Sequence, residues 1–204
     1  MKFPKIVKSG VLLAGCLCVA MALAADKAKT AKPAAPPDEK AAMELMAKAA
    51  TPGEGHQKLE PLAGNFDVKV KAWMDPKKPP EESTATATRK WILGNRFLQE
   101  DYTGTFMGQP FNGLGFQGYD NVTKRYVGTW MDTMGTGLMT SEGKLDGKAL
   151  KLTGMAPDPM AGKNESYRMT ITLVDKDHHT IEMWGKGPDG KPMKWMELAY
   201  TRKP

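Results

Sequence analysis

Three histidines, fifteen methionines and a few carboxylates are the groups through which this 204-residue chain could hold a metal or do chemistry. His178 and His179 follow Asp175-Lys176-Asp177 at a turn between two β-prone runs. Adjacent residues of a strand point to opposite faces, and no third ligand is spaced to join the pair, so an exposed polar turn is expected there. His56 sits beside Pro52-Gly53 and is expected to pack or hydrogen-bond. A single histidine can also hold a haem iron, an alternative left open at His56. Thirteen of the methionines lie beyond residue 24, with Met131, Met134 and Met139 close together. Thioether ligation of Cu(I) favours denser arrays than these, and methionine commonly fills gaps in a core or lines a pliable cavity. No metal or cofactor is expected. Asp132, Glu142 and Glu182 lie in or near strands, but nothing in their spacing makes two of them an acid–base pair. Neither Gly-x-Ser-x-Gly nor His-Glu-x-x-His occurs.

Two constellations are more suggestive. Trp130 and Asp132 are two apart and share a strand face, which suits either a site or a buried structural bond. In the last strand Met196, Leu198, Tyr200 and Arg202 share a face, opposite Trp195, Glu197 and Ala199. An inward apolar row ending in a phenol and a guanidinium can take the tail of an amphiphile on its aliphatic part and a carboxylate on its end. Arg168 and Arg89 could add to that end. The competing role for these groups is a salt bridge at the end of a barrel.

The elements that must position these side chains are strands. From Gly64 the sequence alternates with period two: Phe66, Val68, Val70 and Ala72 against Asp67, Lys69 and Lys71. Further β-prone runs follow at Thr84–Ile92, Phe97–Met107, Phe111–Tyr119, Arg125–Thr133, Leu138–Leu145 and Ala149–Met155. After a loop expected over Pro157–Asn164 come Tyr167–Val174, Thr180–Gly185 and Met193–Arg202. Asp146-Gly147 is a strong hairpin signal. Nine or ten short strands with no helix between them to make a parallel crossover predict an all-β antiparallel meander. Its successive hairpins favour an up-and-down barrel over a sandwich. Ahead of the strands, Asp38 can cap a helix reaching about Ala50, ended by Thr51-Pro52-Gly53, with a second helical turn over Glu54–Leu62.

The N-terminus predicts export. Lys2, Lys5 and Lys8 precede an apolar run from Val11 to Ala24 that ends in Ala22-Leu23-Ala24, the small-x-small pattern of a signal peptidase site. The run is short of the roughly 20 residues a bilayer-spanning helix needs. Cleavage after Ala24 gives a periplasmic or secreted protein with neither Cys16 nor Cys18, hence without disulfides or thiol chemistry. The competing signal is Leu13-Ala14-Gly15-Cys16, which resembles a lipobox; lipidation at Cys16 would make an outer-membrane lipoprotein, the one expected association with a membrane. Residues 25–37 have the Ala/Lys/Pro composition of a tether. Segment boundaries are therefore expected at 1–24, 25–37, 38–62 and 63–204. The net charge of +6 falls to +3 without the three signal lysines. It falls to +1 without Lys27, Lys29, Lys32 and Asp26, so the basic pI does not imply a nucleic-acid partner.

Pro52-Gly53-Glu54-Gly55-His56-Gln57-Lys58-Leu59, Leu62-Ala63-Gly64-Asn65-Phe66, Tyr119-Asp120, Tyr126 and Trp130-Met131-Asp132-Thr133 together resemble an uncharacterised bacterial family, domain of unknown function 1579. Gly143, Asp146, Gly154, Glu182-Met183 and Tyr200-Thr201-Arg202 continue the resemblance to the C-terminus. It implies a barrel of the calycin type, like lipocalins and fatty-acid-binding proteins, with Phe66 as the aromatic plug where those barrels tend to carry Trp. It implies little about activity. The expected function is to bind or sense an apolar or amphipathic small molecule inside the barrel. The alternatives are a structural or interaction module with a filled interior, and an enzyme using Asp132 or Glu182.

Overall fold

The computed structural model describes residues 38–204; the signal and tether expected over 1–37 lie outside the described residues. Helix α1 (Glu39–Ala50) starts where Asp38 accepts the amide of Ala41 at 2.8 Å, and it buries none of its residues. Its apolar side chains Met43 and Met46 stay exposed. Asn121 ties its end down by donating to the carbonyls of Ala49 and Thr51 at 3.0 and 2.8 Å. The short helix α2 (Glu54–Gln57) and a 3-10 turn (Glu60–Leu62) follow.

Ten strands then close on themselves: β1 (Gly64–Ala72), β2 (Glu81–Ile92), β3 (Phe97–Phe106), β4 (Gln109–Asp120), β5 (Arg125–Asp132), β6 (Met139–Asp146), β7 (Ala149–Asp158), β8 (Lys163–Leu173), β9 (His178–Lys186) and β10 (Pro192–Arg202). Each pairs antiparallel with the next, and β10 returns to β1 with Phe66 opposite Arg202 and Ala72 opposite Met196. The expected up-and-down barrel is what forms, and closure leaves no unpaired edge. The loop expected over Pro157–Asn164 shrinks to four residues, because β7 and β8 keep pairing as far as Asp158 and Lys163. The β3–β4 connection is likewise tighter than Gly108-Gln109-Pro110: Met107 and Gly108 turn with φ of 50° and 73°, and Gln109 and Pro110 already belong to β4.

The period-two rows set what faces inward. Phe66, Val68, Val70 and Ala72 are buried, whereas Asp67, Lys69 and Lys71 are exposed. A polar outer face and an apolar interior are the reverse of a membrane-spanning barrel. Leu59 and Leu62, ahead of β1, join the buried core around Phe66, so the entering segment covers the end of the barrel from which β1 departs. The lower half is solid. The upper half, toward the β3–β4, β5–β6 and β7–β8 turns, is not.

Candidate functional site

Above the packed base the interior holds a cavity of about 460 Å³. Its wall is mostly apolar, with Leu98, Met169, Ile171, Ile181, Met183 and Leu198 low down and Phe106, Phe111, Trp130 and Met139 near the turns. A volume of this order is typical of small-molecule sites.

The floor is a polar network drawn from four strands. Arg89 of β2 donates from Nη2 to Glu100 Oε2 of β3 at 2.9 Å, and Tyr200 of β10 donates its hydroxyl to Glu100 Oε1 at 3.0 Å. Both ends of the ion pair are nearly out of water, with side chains 4% and 13% exposed. Burial opposes the charge of Arg89, but Glu100 and Tyr200 outweigh it and raise its pKa. Arg89 Nη1 lies 2.9 Å from Nε2 of the buried His179 in β9. A guanidinium only donates, so Nε2 accepts and the imidazole is neutral. Its pKa is accordingly pushed down to about 2, first by burial and then by Arg89 and Arg202. Burial and the neighbouring Glu100 push the Tyr200 hydroxyl well up, and the same two causes raise Tyr102.

Beneath the floor lies the aromatic plug. Phe66 is fully buried, with the His179 ring perpendicular to it at 4.9 Å between centroids and the guanidinium of Arg202 4.8 Å from its ring centre. Arg202 also donates to the carbonyls of Ala63 and Pro61 at 2.6 and 2.8 Å, which holds the entering segment across the base.

Near the mouth an aromatic panel leads to a carboxylate. Trp130 is stacked on Phe111 at 6.5 Å between centroids, and Tyr102 meets both rings edge-on at 5.8 Å. Trp130 lies flat on β4 because residues 113 and 115 are glycines: a Cβ on Gly113 would collide with the indole. Its Nε1 donates to Asp132 Oδ2 at 2.8 Å, and Asp132 Oδ1 accepts the amide of Met134 at 2.9 Å. On the cavity wall, Gln117 Nε2 is buried and has no hydrogen-bond partner among the described residues.

The structure thus divides the residues singled out in the sequence. Trp130, Asp132, Met196, Leu198 and Tyr200 all line the cavity. Arg202 shares the face of Tyr200 but lies below it, engaged by the plug rather than offered to the cavity. Arg168 is exposed on the outer face of β8, since the inward row there is Glu165, Met169 and Ile171. Glu182 is also outward, bound to Lys194 at 2.5 Å. Trp195, expected to face away, lines the cavity with Met196 because the β9–β10 register shifts between Lys194 and Met196. The expected exposed turn at His178-His179 holds only for His178, which binds Asp175 at 2.8 Å; β9 begins at His178, so His179 points inward. His56 packs edge-on against Tyr119 at 5.9 Å and accepts the amide of Gly53 at 3.2 Å. Glu100 and Gln117 were not singled out by sequence, although both fall on inward period-two rows. Among the described residues no group of His, Cys, Asp or Glu side chains is placed to hold a metal ion.

Closed strand order, a plugged base and a cavity opening at one end define a calycin-like antiparallel barrel. The chain belongs to the family described as protein of unknown function (DUF1579), which it matches over residues 51–202. The fold is similar to that of the protein Rv2717c from M. tuberculosis, with 14% identity and a TM-score of 0.57 over 76% of this chain and 100% of that one. A DUF3598-family protein of unknown function from Nostoc punctiforme aligns over 74% of this chain and 100% of its own at 7% identity, with a TM-score of 0.25. No curated protein matches the chain.

Proposed function

We propose that this protein is a carrier or sensor that takes an apolar or amphipathic small molecule into the upper half of the barrel, and that it works outside the cytoplasm after export. The observation that carries the binding reading is the cavity of about 460 Å³ beneath an aromatic mouth. Interiors pack as densely as organic crystals, so a void of this size in an otherwise well-filled barrel is shaped space rather than slack. Gln117 Nε2 adds a buried donor on its wall that has no partner among the described residues. The cavity argues against the filled-barrel alternative. The enzyme alternative loses Glu182 to the outer face, and the Asp132 oxygens already accept from Trp130 and Met134. The export reading is supported by residues 1–24 alone.

Native mass spectrometry of the purified protein tests the binding reading, together with titration by the neutral fluorophore N-phenyl-1-naphthylamine. One fluorophore per barrel is expected, lost when the cavity is filled by Met183→Trp. A barrel that carries no adduct and leaves the fluorophore dark overturns the reading.

A further inference from the structure

The charges along the cavity are unevenly distributed. Among the described residues its lining has a single cationic side chain, Arg89, and four carboxylates: Glu100, Asp132, Asp158 and Glu165. Arg89 is not available to a guest, because Glu100, Tyr200 and His179 surround it. Arg202, the other cation of the inward rows, is bound to the plug carbonyls. A carboxylate head entering this barrel would meet no free positive charge among the described lining residues, and it would meet Asp132, Asp158 and Glu165 instead. Displacing Glu100 from Arg89 would leave one buried charge without its partner, among the more costly changes a protein interior can undergo.

A cation meets the opposite situation. Lys163 offsets Glu165 at 2.9 Å, whereas Asp132 and Asp158 have no ion-pair partner among the described residues; of these two, Asp132 is the one joined to an aromatic ring. Asp132 stands beside Trp130, whose ring forms one panel with Phe111 and Tyr102. Aromatic faces attract cations, tryptophan most strongly, and such panels suit alkylammonium groups that shed water easily. The apolar wall below, with Met183 and Leu198, accepts a chain.

We infer that the ligand is a cationic amphiphile, an amine or quaternary ammonium with an apolar body, held with its head against the joined Trp130–Asp132 pair and its chain toward Leu198. This inference rests on the binding function proposed above and reverses the fatty-acid-like polarity suggested by Tyr200 and Arg202 in the sequence.

Three probes of equal chain length test it: decyltrimethylammonium, decanol and decanoate, titrated calorimetrically into the mature protein below their micelle concentrations at pH 7.5 and low salt. Decyltrimethylammonium is expected to bind at least tenfold tighter than decanoate, and Asp132→Asn is expected to remove most of that margin while leaving decanol unchanged. Asparagine keeps a carbonyl oxygen for the Trp130 indole, and near-UV circular dichroism reports whether the panel survives. The wild-type preference needs no variant. Decanoate matching or exceeding the ammonium probe overturns the cationic assignment and leaves the binding function standing. A preference untouched by Asp132→Asn overturns the role of Asp132. Failure of all three probes, decanol included, removes the binding function as well.

Discussion

Acidification from pH 7 to pH 5 should weaken this fold through one buried ring. His179 carries a folded-state pKa of about 2 against an ordinary value of 6.5. The folded pKa is depressed, so below pH 6.5 the unfolded chain takes up a proton that the folded chain refuses. The stabilisation is complete above that value and is lost as pH falls toward the folded pKa. One such proton changes the unfolding free energy by about 1.4 kcal/mol per pH unit once the unfolded ring is fully charged, hence by about 2 kcal/mol between pH 7 and 5. His56, also lowered by burial and by Arg96, acts in the same direction. The assay is urea unfolding followed by tryptophan fluorescence at pH 7, 6 and 5, for wild type and His179→Leu. The variant is less stable at neutral pH, since Arg89 Nη1 loses its acceptor, but its pH dependence is shallower by close to one proton. Equal slopes in the two proteins would refute the neutral, buried assignment of His179.

The floor ion pair predicts a second asymmetry. Arg89→Met should cost about 3–5 kcal/mol by leaving Glu100 buried without its cation, and Arg89→Met with Glu100→Leu should recover most of that loss; urea midpoints decide it, and a single-variant cost below about 1 kcal/mol contradicts the geometry. Export predicts a soluble mature chain beginning at Ala25, checked by fractionation and intact mass. A membrane-bound product with an acylated Cys16 would instead make residues 25–37 the spacer between barrel and bilayer.

The strands were legible because their burial pattern is simple: one face water, one face core, so alternation from Phe66 onward marks each run. What eluded that pattern depends on height within the barrel and on distant pairing. Tyr200 and Arg202 are equivalent by alternation, yet one lines the cavity and the other holds the plug, and only the register Phe66 to Arg202 decides which. Glu100 and Tyr200 meet across a hundred residues of sequence, beyond the reach of any local motif. Polar neighbours masked His179, although His179, Ile181 and Met183 form a period-two row once β9 is allowed to begin at His178. Arg168 carries a charge that suits a ligand contact, but its place between the inward Tyr167 and Met169 puts it on the outer face.

That the cavity floor is polar rather than apolar bears on how the barrel closes. A ten-stranded meander must choose one register at every pair, and a slip of one residue turns an entire row inside out. Aliphatic rows discriminate weakly, since one small apolar side chain replaces another at modest cost. Arg89, Glu100, His179 and Tyr200 come from β2, β3, β9 and β10, the strands on either side of β1 where the sheet closes. A one-residue slip at any of them would point a charged or hydrogen-bonding group outward and strand its partner inside, at several kcal/mol. The network therefore acts at the seam as a register lock. Because it fixes the floor in a single arrangement with its charges mutually satisfied, recognition is left to the groups above it. Of these, Trp130 and Asp132 are the pair already joined to each other and open to a guest.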